Sequence, residues 1–452
     1  MKALLSDAAA RSIHYLDTLD ARAVFPPAEA RARLAELGGA LPEAPCDPAA
    51  VLALLDEVAS RATVASAGRR YFGFVTGGAL PATVAASWLA TAWDQNGFSS
   101  TMSPAVAKLE QIALGWLLDV LGLPPDAAGA FVTGATMANL TALAAARRAV
   151  LARAGWDVDE HGLHGAPALR VVLGAEAHPT VRKALGLLGL GRAAAITVPC
   201  DAQGRMRADA LPALDGPTIV CIQAGNVNSG AFDPAREICA AAHAAGAWVH
   251  VDGAFGLWAH ATPARAHLAA GVADADSWAT DAHKWLNVPY DSGLAFVRDA
   301  AALRGAMSIS AAYLPHESIR EPGDFTPEAS RRARAVEVWA ALRSLGRSGV
   351  ADLVERTCRY ATRFADGLRD AGAEILNDVV LNQVVVSFGD DERNRATLAR
   401  IAEDGTCWCG PTAWRGRAAM RISVSSWATT EDDVERSLDA IIRAAGLNRR
   451  GS

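Results

Sequence analysis

The sequence predicts an α/β protein whose main domain is a mostly parallel sheet covered by helices. Two observations carry this. Between about residues 130 and 297, short β-rich apolar runs alternate with longer helical ones, the order a parallel sheet needs because each crossover takes a helix. Several of the strand-like runs also end in residues able to do chemistry, and ligands of such sheets sit beyond the carboxyl ends of the strands.

The elements follow in order. Residues 130–132 read as a strand, and Thr133-Gly134-Ala135-Thr136 then opens a helix over 137–153. Strands at 169–173 and 218–223 are each followed by a helix, at 179–188 and 234–245. Further strands fall at 248–251, 277–280 and 293–297. Ahead of this domain, residues 1 to about 67 repeat apolar positions at helical spacing (Leu34, Leu37, Val51, Leu52, Leu54, Leu55, Val58). Such a segment cannot bury its face alone and needs another domain or subunit. Residues 71–78 are aromatic and glycine-rich, either a core turn or a pocket wall, and helical patterns follow through Trp93 and over 104–121. Residues 315–327, rich in Pro, Gly and charge, read as a mobile loop. A helix over 328–345 stops at Gly346, and 350–452 reads as helix, two strands (384–388, 419–424) and a closing helix. The expected division is a helical segment 1–80, a large domain 81–342 and a smaller α+β domain 343–452.

Composition narrows the function. With 452 residues, 51% hydrophobic and 20% charged, the chain is globular and large enough for two or three domains. A net charge of −6 without a basic run argues against nucleic acid as a partner. Seven cysteines make no disulfide framework. Cys407 and Cys409 lack a second pair at zinc spacing, so no metal is expected. The charged N-terminus lacks an apolar signal region, and the longest apolar stretch, 79–93, is short for a membrane span. These features predict a soluble cytoplasmic enzyme.

Lys284 draws attention because lysine is rare here: Lys2, Lys108, Lys183 and Lys284 are four of 43 basic residues. Arginine does not lose its proton in a protein, whereas a desolvated lysine can, and its neutral amine attacks carbonyls. A surface lysine with its stem against Trp285 is the competing reading. Asp252 ends a buried strand, where a carboxylate needs a cation or proton donor. His178 follows another strand. The turn at 133–136 offers free N–H groups and the positive end of a helix to a phosphate. It lacks the Gly-Lys-Ser/Thr of a nucleotide loop. A lysine amine, a buried aspartate, a flat histidine and a phosphate cradle together match what pyridoxal phosphate requires.

The motifs His250-Val251-Asp252-Gly253-Ala254, Ala282-His283-Lys284-Trp285 and the run from Phe131 to Leu140 resemble the group II pyridoxal-phosphate-dependent amino acid decarboxylases. Gly97-Phe98-Ser99, Ser103-Pro104, Leu109-Glu110 and Ala177-His178 extend the resemblance over most of the chain. It implies the fold type I architecture of pyridoxal-phosphate enzymes, a homodimer with the N-terminal helices on the partner subunit, and decarboxylation of an L-amino acid to its amine. It further implies that Lys284 carries the cofactor, with His178 over the ring, Ala254 beneath it and Asp252 at the pyridine nitrogen. Gly134, Ala135 and Thr136 would hold the phosphate, and His283 would contact the phosphate or the substrate carboxylate. Asn226 would approach the ring, and Phe74, Thr76, Phe98 and Arg421 would bind substrate. Two departures stand out. Asp281 takes the place of an asparagine near the phosphate. The family's loop carries a proton-donating tyrosine, whereas the shorter stretch 319–328 here has Phe325 and no tyrosine, with Tyr313 and His316 just upstream as substitutes. Without that donor, an aldehyde synthase that consumes oxygen is the alternative, with another fold type I lyase or an aminotransferase behind it.

Overall fold

The computed structural model describes residues 1–309 and 320–448. The chain forms two compact units: 77–361 with 377–383, and 1–76 with 362–376 and the residues from 384 onward.

The larger unit is built on a seven-stranded sheet. Its order is Ala128–Val132, Gly293–Val297, Ser277–Asp281, Trp248–Asp252, Thr218–Gln223, Arg170–Gly174, Ile196–Val198. Only Gly293–Val297 runs against its neighbours; the others share one direction. Six of these strands match the sequence expectation within two residues. The strand Ile196–Val198 was not expected, being three residues long at a sheet edge.

The helix Ala135–Arg153 explains how the sheet face is sealed. Ala138, Ala142, Ala145 and Ala146 are buried, so the helix backbone lies close to the strands, while Leu143 and Leu151 fill the gaps. Each such leucine contributes roughly 1.5–3 kcal/mol over leaving it in water.

A buried charge cluster ties the returning chain to this core. Glu110, on the helix Pro104–Val120, pairs with Arg331 at 2.9 Å and Arg320 at 3.1 Å. Arg331 also donates to the carbonyls of Gly97 and Phe131. Phe325 closes a 3-10 turn, Pro322–Phe325, and is buried in the core with the Arg320 guanidinium 4.3 Å from its ring. Residues 320–327 are therefore pinned, which corrects the expectation of a mobile loop reaching 327. Two arginines flanking the turn share one buried carboxylate, and sequence spacing does not reveal that. Tyr313 and His316 lie outside the described residues. The helix expected from 328 begins only at Ala335, because Arg331 and Arg334 hold the preceding segment to Glu110 and Asp291. Gly346, at φ 60°, breaks the helix Ala335–Asp370 where a stop was expected.

The smaller unit carries a five-stranded sheet in the order Tyr71–Phe72, Trp408–Trp414, Arg417–Ser423, Gln383–Ser387, Glu374–Ile375. The segment expected as a loop from Tyr71 thus begins as a strand, paired in parallel with Trp408–Cys409. Gly410 and Pro411 blur the alternation of Trp408–Trp414, which hid that strand in the sequence. The helix Glu431–Ala444 starts with a capping box between Thr430 and Asp433. Among the described residues, no helix is long and apolar enough to cross a membrane, and no group of His, Cys, Asp and Glu could hold a metal ion.

Candidate active site

The strands Trp248–Asp252 and Ser277–Asp281 lie side by side in parallel, with Asp252 opposite Ala279. Their carboxyl ends, with the start of the helix Ala135–Arg153, bound a cavity of about 340 Å³. That volume is in the usual range for a small-molecule site. Gly134, Ala135, Thr136, His178, Asp252, Ala254, His283 and Lys284 all line it, so eight of the residues singled out in the sequence converge on one space. A larger groove of about 670 Å³ near Arg207 and Arg236 contains none of them.

The backbone around Lys284 is fixed by its neighbours. Trp285 is buried and its indole donates to Thr357 Oγ1 at 2.9 Å. The Asn287 amide donates to the Trp285 carbonyl at 2.7 Å. A Cβ on Gly77 would stand 2.4 Å from the Lys284 carbonyl oxygen, so only glycine lets the chain pass there. These anchors leave the amine to point into the cavity, where Lys284 Nζ meets Asp281 Oδ2 at 3.0 Å.

Asp281 answers the question of how a carboxylate sits near the phosphate cradle. Its Oδ1 accepts the Ala135 N–H at 2.6 Å, at the first turn of the helix, and lies 3.5 Å from His283 Nε2. It is satisfied by a helix end and an ammonium, and by no arginine among the described residues. The helix start is itself crowded: a Cβ on Gly293 would lie 2.4 Å from Gly134 Cα. His283 Nδ1 accepts the Ser292 N–H at 3.1 Å, and burial holds its imidazole below the ordinary pKa against the pull of Asp281.

Asp252 is buried and forms no ion pair among the described residues. Burial pushes its pKa up, while His178, Lys284, the Ala254 N–H and the Asn139 amide pull it down. A carboxylate so placed suits a protonated ring nitrogen brought by a ligand. His178 caps the helix Pro179–Leu187, its Nδ1 2.7 Å from Thr180 Oγ1.

The cavity therefore has an amine, an anion seat at a helix start and a buried carboxylate, the donor set that pyridoxal phosphate needs. Residues 59–388 match the family model described as the pyridoxal-dependent decarboxylase conserved domain. The chain belongs to the pyridoxal-dependent decarboxylase family. It is 31% identical over 396 residues to an aromatic-L-amino-acid decarboxylase of Drosophila lebanonensis, covering 82% of this chain and 97% of that one. It is likewise 31% identical over 385 residues to an L-2,4-diaminobutyrate decarboxylase of Rhizobium meliloti, covering 80% and 75%. A solved structure of Oryza sativa TDC with PLP and tryptamine superposes with a TM-score of 0.90 at 25% identity, covering 98% and 97% of the two chains. The pyridoxal-dependent decarboxylase fold is thus that of this protein, which is a carboxy-lyase working with pyridoxal phosphate.

Other candidates of this decarboxylase lie elsewhere. Asn226 is buried, and its Oδ1 accepts the Asn228 and Ser229 N–H groups while its amide donates to the Glu176 carbonyl. Its loop neighbours Gly225 and Val227 line the cavity instead. Phe98 packs against Gly323, where a Cβ would come within 2.2 Å of its ring. Phe74, Thr76 and Arg421 belong to the smaller unit. There, Tyr71 and Phe74 each stack on Trp408, with centroids at 5.2 and 5.4 Å. Phe74 and Val75 both take left-handed φ, 51° and 60°, strain of the kind kept where a side chain must be presented. Burial pushes the Arg421 guanidinium down to about 10. Sequence reading passed over Asn139 and His250 as chemistry, although His250 stands two residues before Asp252.

Proposed function

We propose that this protein decarboxylates an L-amino acid to its amine, with Lys284 as the residue that carries the cofactor. The convergence of Lys284, Asp252, His178 and the 133–136 turn on one cavity is the observation that supports it. When bound, pyridoxal phosphate supplies a sink for the electron pair released as the carboxylate leaves. The chain's own residues set the conditions. Lys284 would hold the cofactor through its amine, and Asp281 Oδ2, 3.0 Å from that nitrogen, orients it. The N–H groups at Ala135 and Thr136 hold the phosphate, with His283 beside them. Asp252 keeps a proton on the pyridine nitrogen, and His178 and Ala254 orient the ring from its two faces. Asn226 shapes the loop next to it. Phe74, Thr76 and Phe98 select the side chain and Arg421 binds the substrate carboxylate, roles that rest on the family resemblance.

The same reading takes the protein to be a cytoplasmic homodimer. Leu5, Ile13, Leu16, Val51, Leu54 and Leu55 are exposed on the N-terminal helices of a single chain, an apolar face that a second copy would cover.

A second reading is favoured by one observation. Phe325 is buried in the core, so no tyrosine at that position donates a proton to the product carbon. An aldehyde synthase, which yields aldehyde, ammonia and peroxide, remains the alternative outcome of the same bond cleavage. One experiment tests both readings: carbon dioxide release from each standard amino acid, with amine, aldehyde and peroxide measured together. Carbon dioxide with one equivalent of amine supports the first reading. Stoichiometric aldehyde and peroxide support the second, and no carbon dioxide from any amino acid contradicts both.

A further inference from the structure

A line of buried hydrogen bonds runs behind Asp252, away from the cavity. Trp248 Nε1 lies 2.9 Å from Ser277 Oγ, Ser277 Oγ 2.9 Å from His250 Nδ1, and His250 Nε2 2.8 Å from Asn139 Oδ1. Ser277, His250 and Asn139 are completely buried and Trp248 nearly so.

The chemistry of the groups gives the line one direction. An indole nitrogen only donates, so Ser277 Oγ accepts from Trp248 and spends its own proton on His250 Nδ1. His250 then carries its proton on Nε2 and donates it to Asn139 Oδ1. Burial holds this imidazole neutral, down to about 3, so it stays a one-donor, one-acceptor link. With its oxygen engaged, Asn139 turns its amide nitrogen inward. That nitrogen is buried without a hydrogen-bond partner, and the Asp252 carboxylate is the group whose charged form it favours. Bonds aligned in this way polarise one another.

We infer that Trp248, Ser277, His250 and Asn139 form a directional relay whose task is to hold Asp252 as a carboxylate, and so to keep the cofactor's ring nitrogen protonated. Asn139 and His250 are positioning residues: they touch neither substrate nor cofactor and act through Asp252. Burial alone drives Asp252 towards its neutral form, in which it would no longer hold a proton on the ring. An aligned amide dipole opposes that drift without adding a charge. The inference rests on the reading that Asp252 faces the pyridine nitrogen.

The test uses full-length protein loaded with pyridoxal phosphate carrying ¹⁵N at the ring nitrogen. In wild type the ¹⁵N resonance is expected at the pyridinium position. Asn139→Leu and His250→Phe should move it towards free pyridine. They should also lower kcat about 10- to 100-fold, the weight of one hydrogen bond to a charged group, with little change in KM. His250→Gln, whose amide can accept from Ser277 and donate to Asn139, should restore the wild-type resonance. Ser277→Ala removes a single hydroxyl from the far end of the line. It serves where the larger changes fail to fold, and it should give a smaller shift in the same direction. A pyridinium resonance unchanged in cofactor-loaded variants, Ser277→Ala included, overturns the relay alone. Wild-type protein that takes up no pyridoxal phosphate overturns the underlying reading together with the relay, so the two failures are told apart.

Discussion

Asp281 lies between Lys284 and the helix start at Ala135, one carboxylate oxygen 3.0 Å from the ammonium and the other 2.6 Å from the backbone N–H. The phosphate cradle therefore already serves an anion that belongs to the chain. A phosphate at this helix start would compete with Asp281 for the same N–H and stand close to its carboxylate. Asp281→Asn is expected to bind pyridoxal phosphate about tenfold tighter, equivalent to ~1.4 kcal/mol of relieved repulsion, in a fluorescence titration of the apoprotein. Weaker binding would mean that Asp281 helps to hold the cofactor.

Phe325 is expected to serve the core and not the chemistry. Phe325→Tyr should leave the ratio of amine to aldehyde unchanged. Phe325→Ala should cost about 3 kcal/mol in chemical denaturation, because it empties a packed site beneath Arg320. A product ratio that moves towards amine in Phe325→Tyr would contradict this assignment.

Removing the shared carboxylate of the charge cluster is expected to be costly. Glu110→Gln leaves the buried Arg331 without its countercharge and should destabilise by about 3–5 kcal/mol. A change below about 1 kcal/mol in the denaturation midpoint analysis would show that the arginines find other partners.

The buried His250 gives stability a pH dependence of defined sign. Its folded pKa, about 3, lies below the ordinary 6.5, so the unfolded chain binds the extra proton between these values. The contribution is complete above pH 6.5 and is lost as pH falls towards 3, on the order of 2 kcal/mol by pH 5. His250→Gln should flatten the stability profile over that window relative to wild type. Parallel profiles for the two proteins would rule His250 out as the source.

The fold was legible where the sequence pattern is local. Strands such as Thr218–Gln223 and Gly293–Val297, buried on both faces, read as apolar runs with the bounds they have in the structure. The site was legible for the same reason: Asp252 ends a strand, the 133–136 turn leads into a helix and Lys284 follows the strand Ser277–Asp281 by three residues, and parallel strands bring such ends together. What escaped depends on distant partners. Trp408–Trp414 is recognisable only beside Arg417–Ser423 and Tyr71–Phe72. The pinning of residues 320–327 needs Glu110, some 210 positions earlier. The line from Trp248 to Asn139 joins three separate elements, and each residue reads in sequence as ordinary core.

The central claim is that Lys284 carries pyridoxal phosphate. Borohydride reduction of the loaded protein, followed by peptide mass analysis, tests it most directly. A phosphopyridoxyl group on Lys284, with none on Lys2, Lys108 or Lys183 and none in Lys284→Ala, is the predicted result. A label on another lysine, or no label on wild-type protein, would contradict the account.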